Sequence, residues 1–301
     1  MKPNIRIWIG ILCSLQLSAQ KLMVLGRAQD AGKPQLGCEK ECCQPGVTKG
    51  NVVSLAWLEP DSAQWTLIEA SPDISEQFQL IPQGYARLPK AVYVSHAHIG
   101  HYTGLMYFGR EACNTHLLPL FCGERMAEFL TQNGPWSQLF ELQNLKLHPQ
   151  KASLKAADLI TQLDSAGIYV FKVPHRDEFS ETLAYIIKGK SKTALFIPDI
   201  DKWQLWDEDI VELVQAVDYA LLDATFYNAE ELPGRDMSEI PHPFVVESMA
   251  LFDPLDAEEK AKIHFIHLNH SNPLWNPQSE AFKEVEAKGY RLAWKGQIFN
   301  L

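Results

Sequence analysis

Short runs of β-branched and apolar residues recur along the chain, separated by stretches with helical spacing, which is the pattern of an α/β protein. "KLMVLG" from Lys21 reads as a first strand, and "NVVSLAWLE" and "QWTLIEA" read as a hairpin turned around Pro60 and Asp61. "KAVYVS" is a buried strand. "HYTGLMYFGREA" has helical spacing, with Leu105 and Phe108 on one side, and "CGERMAEFLTQNG" is a second helix stopped by Gly134 and Pro135. Farther on, "GIYVFKV" predicts a strand and "TLAYIIKGKSKTALFIPDI" a hairpin turned at Gly189, Lys190 and Ser191. "VDYALLDATF" and "AKIHFIHLNHSNP" predict two more strands, and "YRLAWKGQIFNL" predicts a closing hairpin. No internal repeat or low-complexity linker interrupts the pattern.

The polar residues at the carboxyl ends of these strands are His96, His175, Asp199, Asp223 and His267, all with metal-ligand chemistry. Ends of strands in one sheet converge on a crevice, so these side chains are expected to meet. "VYVSHAHIGHYTGL" sharpens the expectation, because His96, His98 and His101 follow a buried strand directly. An H-x-H pair in a turn presents both rings to one point, and a third histidine at a helix start reaches a neighbouring point. Neutral imidazole binds zinc, iron and similar metals. A catalytic metal with an open position acidifies its water to a pKa near 7. Asp199 would bridge two metals or orient that water. Asp223 and His242, the latter in "IPHPFV", are further catalytic candidates, His242 as a proton donor to a leaving group. Arg176, Asp177 and Glu181 are expected to orient the His175 ring, and Tyr102, Trp136 and Trp275 are candidates for an apolar wall.

Composition narrows the partners. The apolar share of 46% and charged share of 21% are those of a soluble globular chain, and 301 residues suit one large domain. A formal charge of −10 disfavours nucleic acid and anionic membranes, leaving a small molecule as the expected partner. A homodimer is compatible with the sequence. "MKPNIRIWIGILCSLQLSAQ" has basic Lys2 and Arg6, an apolar stretch too short to span a bilayer and small residues before Gln20, the pattern of a secretory signal peptide. Residues 1–20 are therefore expected to be removed, leaving 21–301 as one exported domain, periplasmic or secreted. A lipoprotein at Cys13 and a buried first strand are the alternatives.

Loss of Cys13 leaves Cys38, Cys42, Cys43, Cys113 and Cys122, an odd number that disulfides alone cannot satisfy. Cys113 and Cys122 flank an apolar loop and are placed to bridge in an oxidising compartment. Cys38, Cys42 and Cys43 lack one ligand of a closed zinc site, and His270 would complete a Cys₃His set. A disulfide with one free thiol is the alternative.

"SHAHIGH", followed in order by "VPHRDE", "FIPDID" and "FIHLNHSNP", resembles the H-x-H-x-D-H motif and later ligand segments of the metallo-β-lactamase superfamily. Within it, "HAHI.H", "LLD.TF" and "FIH.N..NP" resemble the branch of the pyrroloquinoline-quinone biosynthesis protein B. The resemblance implies a four-layer αββα sandwich with metals at one edge. It implies His96, His98 and His175 around a first metal, His101 and His267 around a second, and Asp199 between them. Some members pair three loop cysteines with a late histidine, in a C-x-C-x-x-C spacing that differs from the C-x-x-x-C-C here. The chain also departs at Gly100, where the family has an aspartate that ligates the second metal. A single metal, an altered second metal or a carboxylate from elsewhere would follow, and Asp30 is the candidate replacement.

The expected activity is hydrolysis of an ester, lactone, amide or phosphodiester with one or two catalytic Zn²⁺, plus a structural Zn²⁺. Fe²⁺ or Mn²⁺ at the catalytic site is the alternative metal, and Fe²⁺ would suit an oxidoreductase step in quinone cofactor synthesis. A non-catalytic binder is the third reading.

Overall fold

Residues of the first strand face alternately in opposite directions, as the pleat demands. Leu22 and Val24 enter one apolar cluster and Met23 and Leu25 another, and this double burial explains why the run is apolar throughout. The computed structural model describes residues 19–176, 178–232, 234, 236 and 239–301. The signal-peptide stretch therefore lies almost wholly outside the described residues, as does Asp177.

Among the described residues, thirteen strands form two sheets. They are β1 (Lys21–Gly26), β2 (Ser54–Glu59), β3 (Gln64–Ile68), β4 (Ala91–Tyr93), β5 (Leu118–Gly123), β6 (Leu145–Gln150), β7 (Gly167–Val173), β8 (Thr182–Lys188), β9 (Thr193–Ile197), β10 (Tyr219–Asp223), β11 (Ile263–Ile266), β12 (Arg291–Leu292) and β13 (Ile298–Asn300). The first sheet runs β13-β1-β2-β3-β4-β5-β6 and the second β12-β11-β10-β9-β8-β7. Leu22, Trp57 and Ile68 of the first sheet pack against Tyr185, Phe196 and Leu221 of the second. Outside the first sheet, Leu105, Phe108, Met126 and Leu130 of helical segments cover Leu67 and Val92. Outside the second, Val245, Met249, Phe252 and Phe282 do the same for Leu222 and Phe265. The layers are thus helix, sheet, sheet, helix, the expected αββα sandwich.

Most predicted strands form within a residue or two of their expected ends. Three readings are corrected. The closing segment is not a hairpin: β12 pairs with β11 and β13 pairs with β1, so the last residues cross from one sheet to the other. The turn between them is held by bonds from Gly296 N to Val24 O at 2.8 Å and from Val24 N to Gln297 O at 2.9 Å. The apolar loop between Cys113 and Cys122 contains β5, which buries Cys122 while Cys113 is exposed. Both thiols are free, and Cys113 Sγ donates instead to the Tyr107 carbonyl at 2.9 Å. The helical stretch after the histidines is a short α-helix, Ile99–Tyr102, continued as a 3₁₀ helix, Thr103–Phe108.

Among the described residues no helix is long and apolar enough to cross a membrane.

Candidate metal centre

Both sheets deliver donors to one edge. His96 and His98 follow β4 of the first sheet, and His101 lies in the short helix Ile99–Tyr102 after them. His175 follows β7, Asp199 follows β9, Asp223 ends β10 and His267 follows β11, all in the second sheet. The strand ends therefore converge across two sheets rather than along one.

Asp199 is the hub, and it is fully buried. Its Oδ1 lies 3.1 Å from His175 Nε2 and 3.2 Å from His242 Nδ1. Its Oδ2 lies 3.3 Å from His96 Nε2, and 3.8 Å from both His98 Nδ1 and His101 Nε2. His267 Nε2 is 3.9 Å from the same oxygen. His242 Nδ1 is bonded to Asp223, but the other inward atoms have no aligned hydrogen-bond partner: His96 Nε2, His98 Nδ1, His101 Nε2, His175 Nε2, His267 Nε2 and both Asp199 oxygens are buried and orphaned. Leaving so many buried polar atoms unpaired is costly, at about 1–3 kcal/mol each. A divalent cation removes that cost, since every one of these atoms is a metal donor. The donors fall into three overlapping sets, His96, His98, His175 and Asp199; Asp199, Asp223, His242 and His267; and Asp30, His101 and His267, the atoms of each set lying within 4.8 Å of one another.

The outer edges of the rings are held as ligating histidines require, with the nitrogen away from the metal in a hydrogen bond. His96 Nδ1 meets Ser95 Oγ at 2.8 Å, His175 Nδ1 meets Asp201 Oδ1 at 3.0 Å, and His267 Nδ1 meets Thr225 Oγ1 at 2.9 Å. His101 Nδ1 meets the buried Glu69 at 3.2 Å. His98 is turned the other way, with Nε2 3.3 Å from Arg176 Nη2 and Nδ1 inward. Backbone strain accompanies this precision. His267 at φ 66° and Glu69 at φ 68° occupy the left-handed region, at about 1–3 kcal/mol each.

The charges are shared unevenly. Burial works against protonation of His101 and His175, but Glu69 beside the first and Asp199 and Asp201 beside the second outweigh it, raising them to about 9 and about 10. Burial and the neighbouring His101 push His96 well below the usual histidine range. Burial alone would raise Asp199, yet the surrounding histidines hold it well below the carboxylate range.

Asp223 is different in kind. Its Oδ1 accepts from Thr225 N at 2.8 Å and Thr225 Oγ1 at 2.6 Å, and its Oδ2 from Ile200 N at 3.2 Å and His242 Nδ1 at 2.8 Å. Both oxygens are spent on the protein, so Asp223 orients His242 and His267 rather than reaching a substrate. His242 lines a cleft of about 730 Å³ beside the metal-ligand cluster, with Gln29, Lys40, Arg176, Phe226, Asn269 and other residues around it.

Several expected orienters act elsewhere. Arg176 reaches His98, not His175. Glu181 accepts from Arg125 N and Met126 N at 3.1–3.3 Å and so caps the helix Glu124–Gln132. Tyr102 and Trp136 pack together at a tilt over the first sheet, 5.0 Å between ring centres, and Trp275 lies under Arg27 at 4.4 Å. None of the three aromatics lines the cleft beside His242. Sequence reasoning missed Glu69, Asp201 and Thr225. Each ends or follows an apolar strand run, in "TLIEA", "PDID" and "LLDAT", which is the signal that marked the ligands themselves.

Cys38, Cys42, Cys43 and His270 form a separate cluster with donor atoms within 4.8 Å. Cys42 and Cys43 sulfurs share a hydrogen bond at 3.7 Å with no disulfide, and His270 Nδ1 is engaged by Asn269 Oδ1 at 3.0 Å, leaving the other ring nitrogen for a metal. Burial and its sister thiols push Cys42 up to about 11.

Against known families, residues 64–265 match the β-lactamase superfamily domain. Coenzyme PQQ synthesis protein B of Klebsiella pneumoniae is 28% identical over 316 residues, covering 93% of this chain and 98% of its own. Its counterpart from Acinetobacter baumannii strain SDF is 25% identical over 312 residues, covering 93% and 99%. Among solved structures, Zn²⁺-bound PqqB from Methylobacterium extorquens aligns with a TM-score of 0.72 and 20% identity, over 93% of this chain and all of that one. A diphosphatase of the PhnP family aligns at 0.60, also with 20% identity, over 94% and 97%. The chain belongs to the metallo-β-lactamase superfamily, in its PqqB-like branch.

Proposed function

We propose that the protein is a metal-dependent hydrolase acting on an ester, lactone, amide or phosphodiester of a small molecule. The observation that carries this reading is the ring of orphaned donors around Asp199 beside an open cleft. His96, His98 and His175 would hold one ion, His101 and His267 a second, and Asp199 would lie between them. Nitrogen and carboxylate donors suit zinc, and Cys38, Cys42, Cys43 and His270 suit a structural zinc. A divalent ion bound at the Asp199 centre supplies Lewis acidity and acidifies coordinated water to near neutrality.

The chain's own groups do the rest. Asp199 stays ionised and keeps its negative charge between the two histidine sets. Asp223 fixes the His242 ring, and burial is outweighed by Asp223 and Asp199, so that His242 holds its proton more tightly than a free histidine. At the cleft wall His242 gives that proton to the departing oxygen or nitrogen as water adds to the carbonyl or phosphoryl centre and the bond to the leaving group breaks. General acid assistance of this kind is worth about 10²–10⁴ in rate.

Likeness to the coenzyme PQQ synthesis proteins along 93% of the chain supports a second reading, an oxidative step of quinone cofactor synthesis with Fe²⁺ in place of zinc. Two tests separate them. Zinc-loaded protein should turn over a panel of generic esters, lactones and phosphodiesters, with the activity lost in Asp199→Ala. Restoration of cofactor synthesis in a strain lacking its own protein B, with no turnover on the panel, would favour the second reading.

A further inference from the structure

The loop after β1 carries both Asp30 and the cysteine trio. The segment after β11 carries both His267 and His270. The same two stretches of chain thus contribute to both donor clusters.

Gly100 explains how Asp30 comes into play. A Cβ at position 100 would lie 2.5 Å from Asp30 Cα and 2.6 Å from its Oδ1, so a side chain there and Asp30 exclude each other. Asp30 Oδ1 accepts from Gly100 N at 3.1 Å and lies 3.7 Å from the orphaned His101 Nε2. The turn that bears it is tied to the strand-end segment by Gln29 N to Leu268 O at 2.9 Å and closed by Gly32 N to Gln29 O at 2.8 Å. Past Lys33, which pairs with Gly50, the loop has little to hold it. Leu36 is 97% exposed and the turn Glu41–Cys43 buries no residue. Without apolar burial, such a segment opens easily unless something else ties it down.

We propose that Asp30 is the carboxylate donor of the second metal position, standing in for the side chain absent at Gly100. We further propose that a metal in the cysteine site fixes the loop bearing Asp30 and so governs filling of that position. The proposal rests on the metal-centre reading above. Asp30 completes a set of two imidazoles and one carboxylate with His101 and His267, beside the shared Asp199. An ion held by Cys38, Cys42, Cys43 and His270 clamps together the two segments that must meet for Asp30 and His267 to share a metal. The bland alternative is a turn aspartate that only caps the Gly100 N–H.

Cobalt(II) titration of chelator-stripped full-length protein counts the sites separately, because thiolate-bound cobalt gives an intense near-ultraviolet band and histidine–carboxylate cobalt does not. Asp30→Asn keeps the acceptor to Gly100 and alters the charge. It should weaken the second position by about tenfold or more while the thiolate band is unchanged, a loss of the size seen when metal-site partners are removed. Gly100→Ala removes no donor, yet should lose the same ion by displacing Asp30. Cys42→Ser should lose the thiolate band and weaken the second position as well. The retained thiolate band in the first two variants shows that the loop is folded. Wild-type occupancy and affinity at the second position in both Asp30→Asn and Asp30→Ala would overturn the ligand assignment. An unaltered second position in Cys42→Ser would overturn the control by the cysteine site. A wild-type protein that binds cobalt only through thiolates would overturn the metal-centre reading itself.

Discussion

At the residue scale, the site is a balance of charge between buried imidazoles and the carboxylates beside them. His101 and His175, raised to about 9 and about 10, are protonated at neutral pH in the metal-free protein. A metal must displace those protons, so affinity should rise with pH and level off once pH exceeds the raised values. Calorimetric titration of zinc at pH 7 in buffers of different ionisation enthalpy should show net proton release. The same sign governs apo stability: both raised histidines stabilise the fold fully below their ordinary value of 6.5, and that contribution is lost as pH climbs through 9 and 10. The Asp223–His242 pair gives a second expectation. His242→Ala should lower kcat by about 10²–10⁴ on any substrate found, with metal content unchanged in elemental analysis, whereas Asp223→Asn should lower kcat and also weaken the metal held by His267. The residues that carry this chemistry were legible as types at strand ends. Their partners were not, because Glu69, Asp201 and Thr225 become recognisable only once the ring each one holds is known.

At the element scale, apolar alternation identified the strands but not whom they pair with. "YRLAWKGQIFNL" has the marks of a hairpin, and Gly296 does make a turn, yet each strand finds an older partner in a different sheet. Two strands were missed for a chemical reason, since β5 and β6 contain Pro119 and Pro149, which mark a run as loop. β6 is the edge of its sheet, and β4 pairs only with Leu120 and Phe121 of β5, so neither proline interrupts a central ladder. The closing strand should matter despite its length. Phe299 is buried between the sheets, and Phe299→Ala should cost about 3–5 kcal/mol in denaturant unfolding. Glu181→Ala leaves the Arg125 and Met126 N–H groups without their acceptor and should cost about 1–2 kcal/mol by the same measurement.

At the scale of the whole molecule, two sheets meet so that histidines of the first face carboxylates of the second across one edge. The layers were legible through the motif order, and the meeting of two sheets at the site was not, because period-two alternation says which faces are buried and not which sheet a strand joins. The N-terminal pattern leaves export as a proposal, which intact mass of the cell-envelope fraction would test: a chain beginning near residue 21 supports it, and one beginning at Met1 opposes it. The central claim is that one edge of the sandwich is a metal centre distinct from the cysteine cluster. Elemental analysis of purified protein beside His96→Ala and Cys42→Ser tests it most directly. The account predicts two or more bound ions, with His96→Ala losing metal from the Asp199 centre and Cys42→Ser losing the cysteine-bound ion. Metal content unaltered by His96→Ala, or no bound metal in protein prepared without chelators, would contradict it.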